Sequence, residues 1–236
     1  MRLSYYLSYV PIPNTLSIFM QRIVDNKSAP QELCLTHKFC NLQTLAIIKQ
    51  HGDKRIIDIL VQNFSNLQSG VVWADLNFKN INHFFNPYTK KGLWKFPSAA
   101  YFFIIYLTKA EQLIKQRNQQ ESFFYLGAAL HLLQDMSVPH HVCGYLFNGH
   151  KNFEKWVQLH LPEFKTITYK PWNCCNDPVK LFINNAKFAT EFISMVEDNN
   201  TENYFQVANI LLPAAQIGSA ALLEWFIKNK ILPNKS

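Results

Sequence analysis

The run His131-Leu-Leu-Gln-Asp135-Met-Ser-Val-Pro139-His140-His141, followed by His150-Lys-Asn-Phe-Glu154, sets imidazoles and carboxylates at spacings that can grip metal ions. Residues four apart on a helix lie one turn above another on the same face, so His131 and Asp135 can hold one ion together. His150 and Glu154 repeat the spacing and form a second two-toothed clamp. Pro139 ends the first helix and turns the chain, which lets His141 approach from outside it. Gly127, a further turn back on the His131 face, leaves space where a side chain would crowd the site. Imidazole with carboxylate suits zinc. A single histidine on a helix is most often a core or surface residue. Two clamps with a histidine between them, inside 24 residues, read instead as a multinuclear zinc site.

The elements that must position these groups are helical in pattern. Apolar residues at Phe39, Leu42, Leu45, Ile47 and Ile48 form a helical stripe over His37 to Gln50, with Thr36 as the expected N-cap. Asp53 starts a second, short helix through Ile56, Ile57, Ile59, Leu60 and Phe64. From Asn66 to Pro97 the periodicity gives way to Asn, Gly and aromatic residues, with Asn86-Pro87 and Lys91-Gly92 as turn signals. This reads as a long, ordered, functional loop. Helical pattern returns over Ser98 to Gln116 and over Glu121 to Met136, where Pro139 enforces a stop. A shorter helix spans His150 to Leu159, Pro162 to Asp177 is irregular, and Val179 to Asp198 is amphipathic. The last helix runs from Tyr204 to Lys228, with Pro213 expected to kink it. With no strand alternation and no repeat, the expected fold is all-α: a single-domain multi-helix bundle over residues 1–236, with 1–35 as an N-terminal extension.

Composition agrees with a packed core. Hydrophobic residues make up 48% of the chain and Gly is scarce at 7, which excludes disordered and fibrous classes. A net charge of +7 favours anionic partners such as phosphate esters, nucleic acid or an acidic membrane surface. Five cysteines, Cys34, Cys40, Cys143, Cys174 and Cys175, form no C-x-x-C pair and leave an odd count, so they read neither as a disulfide framework nor as a zinc knuckle. The uncharged stretch Ser4 to Gln21 is interrupted by Pro11, Pro13 and Asn14 and has no clean cleavage site, so no signal peptide is read there. No apolar run is read as long enough to span a bilayer, and membrane contact is expected to be peripheral.

The segment Phe123-Phe-Tyr-Leu-Gly-Ala-Ala-Leu-His131-Leu-Leu-Gln-Asp135-Met-Ser-Val-Pro139-His-His141 resembles the hallmark motif of the bacterial zinc-dependent phospholipase C family. That family is all-helical, shares its fold with the S1/P1 type of nuclease, and uses three zinc ions. The resemblance extends to His150-x-x-x-Glu154, to Asn82-His83-Phe84-Phe85-Asn86-Pro87 as the family's HFY-x-P loop, to Val71-Val-Trp-Ala-Asp75, and to Thr36-His37. It implies that Asp75, His83, His131 and Asp135 hold one zinc, that Asp135 bridges to a second zinc bound by His37, and that His141, His150 and Glu154 hold the third. Five of the eight histidines then fall on ligand positions, and His51, His140 and His160 are left as ordinary surface or supporting residues. Asp75 is also the expected base toward the attacking water.

The implied activity is cleavage of a phospholipid to diacylglycerol and a phosphorylated headgroup. Two alternatives stand beside it: an S1/P1-like single-strand nuclease, which a basic surface would suit, and a zinc-binding relative without activity. Against the nuclease, the second clamp ends in Glu154 where those enzymes prefer aspartate after tryptophan, and no Trp-Gly start is present. The chain departs from the family it resembles in two further ways. A processed N-terminal tryptophan normally supplies its amino group and carbonyl to the zinc of the first histidine, and no tryptophan precedes Trp73 here. The aromatic residues that box a choline group are missing where Leu76 and Asn80 stand, which leaves the headgroup open. No C-terminal β-sandwich is expected, nor strong haemolysis. Relatives of this family are typically secreted, whereas the absent signal reads as cytoplasmic, and the compartment stays open.

Overall fold

The computed structural model describes residues 34–232 except 52, 77, 78, 95, 166–175 and 198, with the His51 side chain also left out. Residues 1–33 of the N-terminal extension, where the family's tryptophan was sought, lie outside the described residues, as do Cys174 and Cys175.

Among the described residues there are nine α-helices and no strand. They are α1 (Leu35–His51), α2 (Lys54–Ala74), α3 (Ala99–Lys115), α4 (Gln119–Asp135), α5 (Pro139–Cys143), α6 (His150–His160), α7 (Pro178–Thr190), α8 (Ile193–Val196) and α9 (Thr201–Phe226). A short 3-10 turn, Lys79–Asn82, follows α2, and a π-turn, Ile227–Ile231, extends α9. The all-α reading therefore holds.

The sequence dictates most of the starts. Asp53 caps α2 by accepting from the Arg55 N–H at 2.8 Å, Asn200 caps α9 through the Glu202 N–H, and Asp177 caps α7 ahead of Pro178. Thr36, by contrast, sits inside α1, which begins at Leu35.

α4 is the central element. From Ser122 to Asp135 all but Phe124 and Tyr125 are buried, and the helix packs against α2, α3 and α9. A helix that is apolar nearly all round belongs in the middle of a bundle. Buried hydrophobic side chains from every one of the nine helices join in one continuous core around it. α9 is the second inner helix and packs on α1 and α4. Contrary to the reading that no apolar run suffices, α9 with its π-turn is long and apolar enough to cross a membrane by length and composition, although most of that stretch is buried inside the fold.

α2 runs ten residues beyond Phe64, through the stretch read as loop. Asn66, Ser69 and Gly70 carry little helical signal, and the reason they are helical is tertiary. A Cβ on Gly70 would fall on the Phe124 carbonyl, and one on Gly127 would fall on the Leu67 carbonyl. The two glycines thus let the backbones of α2 and α4 touch. Gly127 serves this helix contact, not the space around the metal ligands that its spacing suggested. The expected helix over Val179 to Asp198 also breaks: α7 ends at Thr190 and α8 follows as a separate turn. Pro213 lies inside α9, which continues as one helix to Phe226.

Gly127→Ala is expected to destabilise the fold by about 3 kcal/mol, the upper part of the range for overpacking between rigid elements. Urea unfolding of the purified variant measures it, and a midpoint within error of the parent would refute the close-contact account.

Candidate metal centre

Five elements converge on one carboxylate. α4 supplies His131 and Asp135, the first turn of α1 supplies His37, the end of α2 supplies Asp75, the segment after the 3-10 turn supplies His83, and α5 supplies His141. Asp135 Oδ2 lies 3.1 Å from His83 Nδ1 and 3.4 Å from His131 Nε2. Its Oδ1 lies 3.4 Å from both His37 Nε2 and His141 Nδ1. Asp75 joins the same cluster, with its carboxylate within 4.8 Å of the His83 and His131 nitrogens.

Backbone carbonyls decide which ring nitrogens carry protons. The last four carbonyls of a helix have no partner within it. At the end of α2, those of Val72 and Trp73 accept from the N–H groups of Asp75 and Leu76 at 3.1 and 3.2 Å. The other two accept from histidines: His131 Nδ1 donates to Val71 O at 2.9 Å, and His83 Nε2 donates to Ala74 O at 3.0 Å. A carbonyl can only accept, so each ring carries a proton on that side, and in its neutral form it presents a bare lone pair on the other. The bare His131 Nε2 and His83 Nδ1 stand 3.3 Å apart, both facing Asp135.

The second cluster is more open. His150 Nε2 is 3.0 Å and His141 Nε2 3.3 Å from Glu154 Oε1. His150 and Glu154 are the i,i+4 pair of α6, and Gly149 sets up that helix from the left-handed region at φ 81°. His141 links the clusters, with one nitrogen toward Asp135 and the other toward Glu154. Phe85 N–H donates to the His141 carbonyl at 3.0 Å, which ties the His83 segment to α5. The Glu154 side chain is 44% exposed against 2% for Asp135, so one cluster is inner and the other reaches solvent.

Charge follows position. Burial, helped by His37, holds His131 well below the usual histidine range, so it is neutral. Burial also works against a charge on His141, but the carboxylates of Asp135 and Glu154 outweigh it and raise that imidazole to about 10. For Asp135, burial pushes the carboxyl up, and the surrounding imidazoles outweigh it and hold it well below the usual carboxylate range. Glu154 is likewise opposed by burial and lowered by hydrogen bonds from His141 and His150.

These donors fit zinc. Ligand atoms at about 2.0–2.1 Å from one tetrahedral zinc stand roughly 3.3 Å apart, and the inner separations are 3.1–3.4 Å. Asp135 Oδ2 and His141 Nδ1 are buried with no hydrogen-bond partner. Bare nitrogens facing an ionised oxygen repel one another unless a cation lies between them. Three groups have ligand atoms close enough to share an ion: His37, His131 and Asp135; Asp75, His83 and His131; His141, His150 and Glu154.

A sequence profile of zinc dependent phospholipase C matches residues 36–198, more than half of the chain. The chain belongs to the zinc-dependent phospholipase C family. Within this family, it is 26% identical over 161 residues to the phospholipase C of Bacillus cereus, covering 62% of this chain and 56% of that one. Its fold superposes on the alpha-toxin of Clostridium perfringens avian strain SWCP with a TM-score of 0.72, and on the alpha toxin of Clostridium absonum with 0.74. Both are 20% identical, and each match covers 85% of this chain and 65% of the toxin, so the likeness is one of fold. The chain thus spans a little over half the length of the Bacillus relative.

All eight side chains singled out in the sequence, His37, Asp75, His83, His131, Asp135, His141, His150 and Glu154, lie in one or other cluster. Of the two roles read for His140, surface or supporting, it has the second: it is buried, stacks on His150 with centroids 5.1 Å apart, and shares a 2.9 Å hydrogen bond through Nε2 with Asn148 O. His160 lies outside the centre, stacked on Trp156. Sequence reasoning missed Cys34, whose thiol donates to Asp75 Oδ2 at 3.5 Å, and Gln134, within hydrogen-bond reach of His37 Nδ1 at 2.9 Å. No spacing signal marks either. Gln134 adjoins Asp135 but points to a different neighbour.

The raised pKa of His141 has a sign in stability. Its folded value of about 10 exceeds the usual histidine value of 6.5, so its contribution is complete below pH 6.5 and is lost as pH rises through 10. Chelator-treated protein should lose melting temperature between pH 7 and 10, and His141→Asn should flatten that limb. Equal slopes in calorimetric scans of the two proteins would refute the assignment.

Proposed function

We propose that this chain is a phosphodiester hydrolase of the phospholipase C type, releasing diacylglycerol and a phosphorylated headgroup from a phospholipid. The observation that carries the reading is the convergence of imidazole nitrogens on the ionised, buried Asp135, in a chain of a zinc-dependent family whose Bacillus relative is named phospholipase C. In this reading Asp75, His83, His131 and Asp135 would hold one zinc, His37 with Asp135 a second, and His141, His150 and Glu154 a third.

Zinc held there supplies Lewis acidity toward the phosphodiester and toward a water. The chain's own residues do the rest. Asp75 caps α2 at the edge of the inner cluster, half-buried, where its carboxylate can take the proton of an attacking water. Cys34 donates to Oδ2 of that carboxylate and restrains it. Glu154, with its side chain 44% exposed, marks the side from which a substrate enters. Val71, Ala74 and Gln134 hold three rings in place, so little reorganisation accompanies binding. A phospholipid in a bilayer is met at the membrane surface, so the proposed partner is peripheral.

The nuclease alternative gains nothing from the comparisons, since none of the relatives named above is a nuclease. A zinc-binding protein without activity is opposed by the complete set of eight donors and by Asp75 in particular.

Elemental analysis of purified protein should find about three zinc per chain, and one or none would refute the proposed centre. Asp75→Asn should lower diacylglycerol release from phosphatidylcholine vesicles by at least ~10²-fold, the usual contribution of a positioned base, with the helical circular dichroism signal retained. Nucleotide release from single-stranded DNA without diacylglycerol from any phospholipid would overturn the assignment in favour of a nuclease.

A further inference from the structure

Behind His37 lies a buried hydrogen-bond relay whose every direction is forced. It is anchored at two backbone carbonyls, which can only accept. At one end Gln68 Nε2 donates to Lys38 O at 3.4 Å, so Gln68 Oε1 faces away and accepts from Asn41 Nδ2 at 2.6 Å. Asn41 Oδ1 must then accept, and Gln134 Nε2 donates to it at 2.8 Å. At the other end the Ser219 hydroxyl spends its proton on Ala215 O at 2.7 Å. Its oxygen is left to accept from the same Gln134 Nε2, at 3.0 Å. Both ends therefore fix the Gln134 amide with its nitrogen inward and Oε1 toward His37. Asn41, Gln68, Gln134 and Ser219 are all at most 3% exposed, so water does not offer them other partners.

We infer that Gln134 is a positioning residue that sets the tautomer and tilt of His37 and so builds one arm of the metal centre. Gln134 Oε1, 2.9 Å from His37 Nδ1, accepts the proton on that nitrogen. In the neutral ring, the form that can ligate a metal, the lone pair is then left on Nε2, which faces Asp135 Oδ1 at 3.4 Å. The His37 ring also stacks on His131 at 3.9 Å, so a ring flip or tilt would disturb both. α2 does the same for His83 and His131 with the carbonyls of its last turn. His37 is on α1, out of reach of such a helix end, and a side-chain amide takes that role. α4 thus contributes to the centre twice at adjacent positions, through Asp135 directly and through Gln134 by way of α1.

The inference rests on the zinc reading, and the experiment separates the two. Full-length wild-type protein, Gln134→Met, Gln134→Glu, His37→Ala and the His37→Ala/Gln134→Met double variant are titrated with a graded zinc chelator, and bound zinc is followed by elemental analysis. Gln134→Met keeps the volume but offers nothing to Nδ1–H. It should weaken about one zinc equivalent by ~10–100-fold, the usual effect of removing the partner of a ligating histidine, and leave the others. Gln134→Glu keeps an acceptor and should hold zinc within a few-fold of wild type, although it repels Asn41 Oδ1 and, like the methionine, lowers the melting temperature. In the His37→Ala background Gln134→Met should change nothing further. Equal zinc loss in the methionine and glutamate variants, or a further loss without His37, would make Gln134 a packing residue and overturn the inference alone. Wild-type protein without tightly held zinc would overturn it together with the proposed function.

Discussion

A carboxylate charge sealed inside a helical core is the constraint on which the rest of this structure depends. Asp135 is 1% exposed on the central helix, where an ion without compensation costs several kcal/mol. Four imidazoles from four other points of the chain surround it. The carboxylates beside His141 keep that imidazole charged, while His131 is held neutral by burial. His37, His83 and His131 turn ring nitrogens toward Asp135. The arrangement makes sense as a receptacle for cations, and the fold places its least solvated helix there so that water cannot compete.

The supporting atoms matter as much as the ligating ones. The end of α2 disposes of four carbonyls that no helix can satisfy internally, two on backbone N–H groups and two on imidazoles. The same hydrogen bonds that finish the helix define the tautomers of the site. Stability and chemistry are in this sense one set of contacts. The two clusters also differ in exposure, with Asp135 sealed and Glu154 open, which gives the centre a closed floor and an accessible rim.

Much of this was legible in the sequence, for identifiable reasons. The i,i+4 pairs His131/Asp135 and His150/Glu154 depend only on helical periodicity, and both lie on helices in register. The cap Asp53 announced α2, and Pro139 announced that α4 must stop before it, because both act locally. The second half of α2 was illegible because its helicity comes from contact with α4 through Gly70, and glycine in sequence speaks for a loop. Gly127 was read as making room for ligands for the same reason: a missing side chain does not reveal what fills its place. Gln134 was hidden because its partners are 93 and 85 residues away along the chain, at Asn41 and Ser219. His140 looked ordinary beside His141, and only the packing of α5 on α6 shows it stacked under His150.

The glycine contact between α2 and α4 acts as a gauge block for the metal centre. Gly70 immediately precedes Val71, whose carbonyl orients His131, and Gly127 lies one turn before His131 itself. The separation of the two backbones is therefore also the length of the hydrogen bond that sets the ring. Widening the gap by one methyl group would lift the carbonyl from the imidazole it steers. Any residue larger than glycine at either position would detune the site in the same stroke that loosens the bundle.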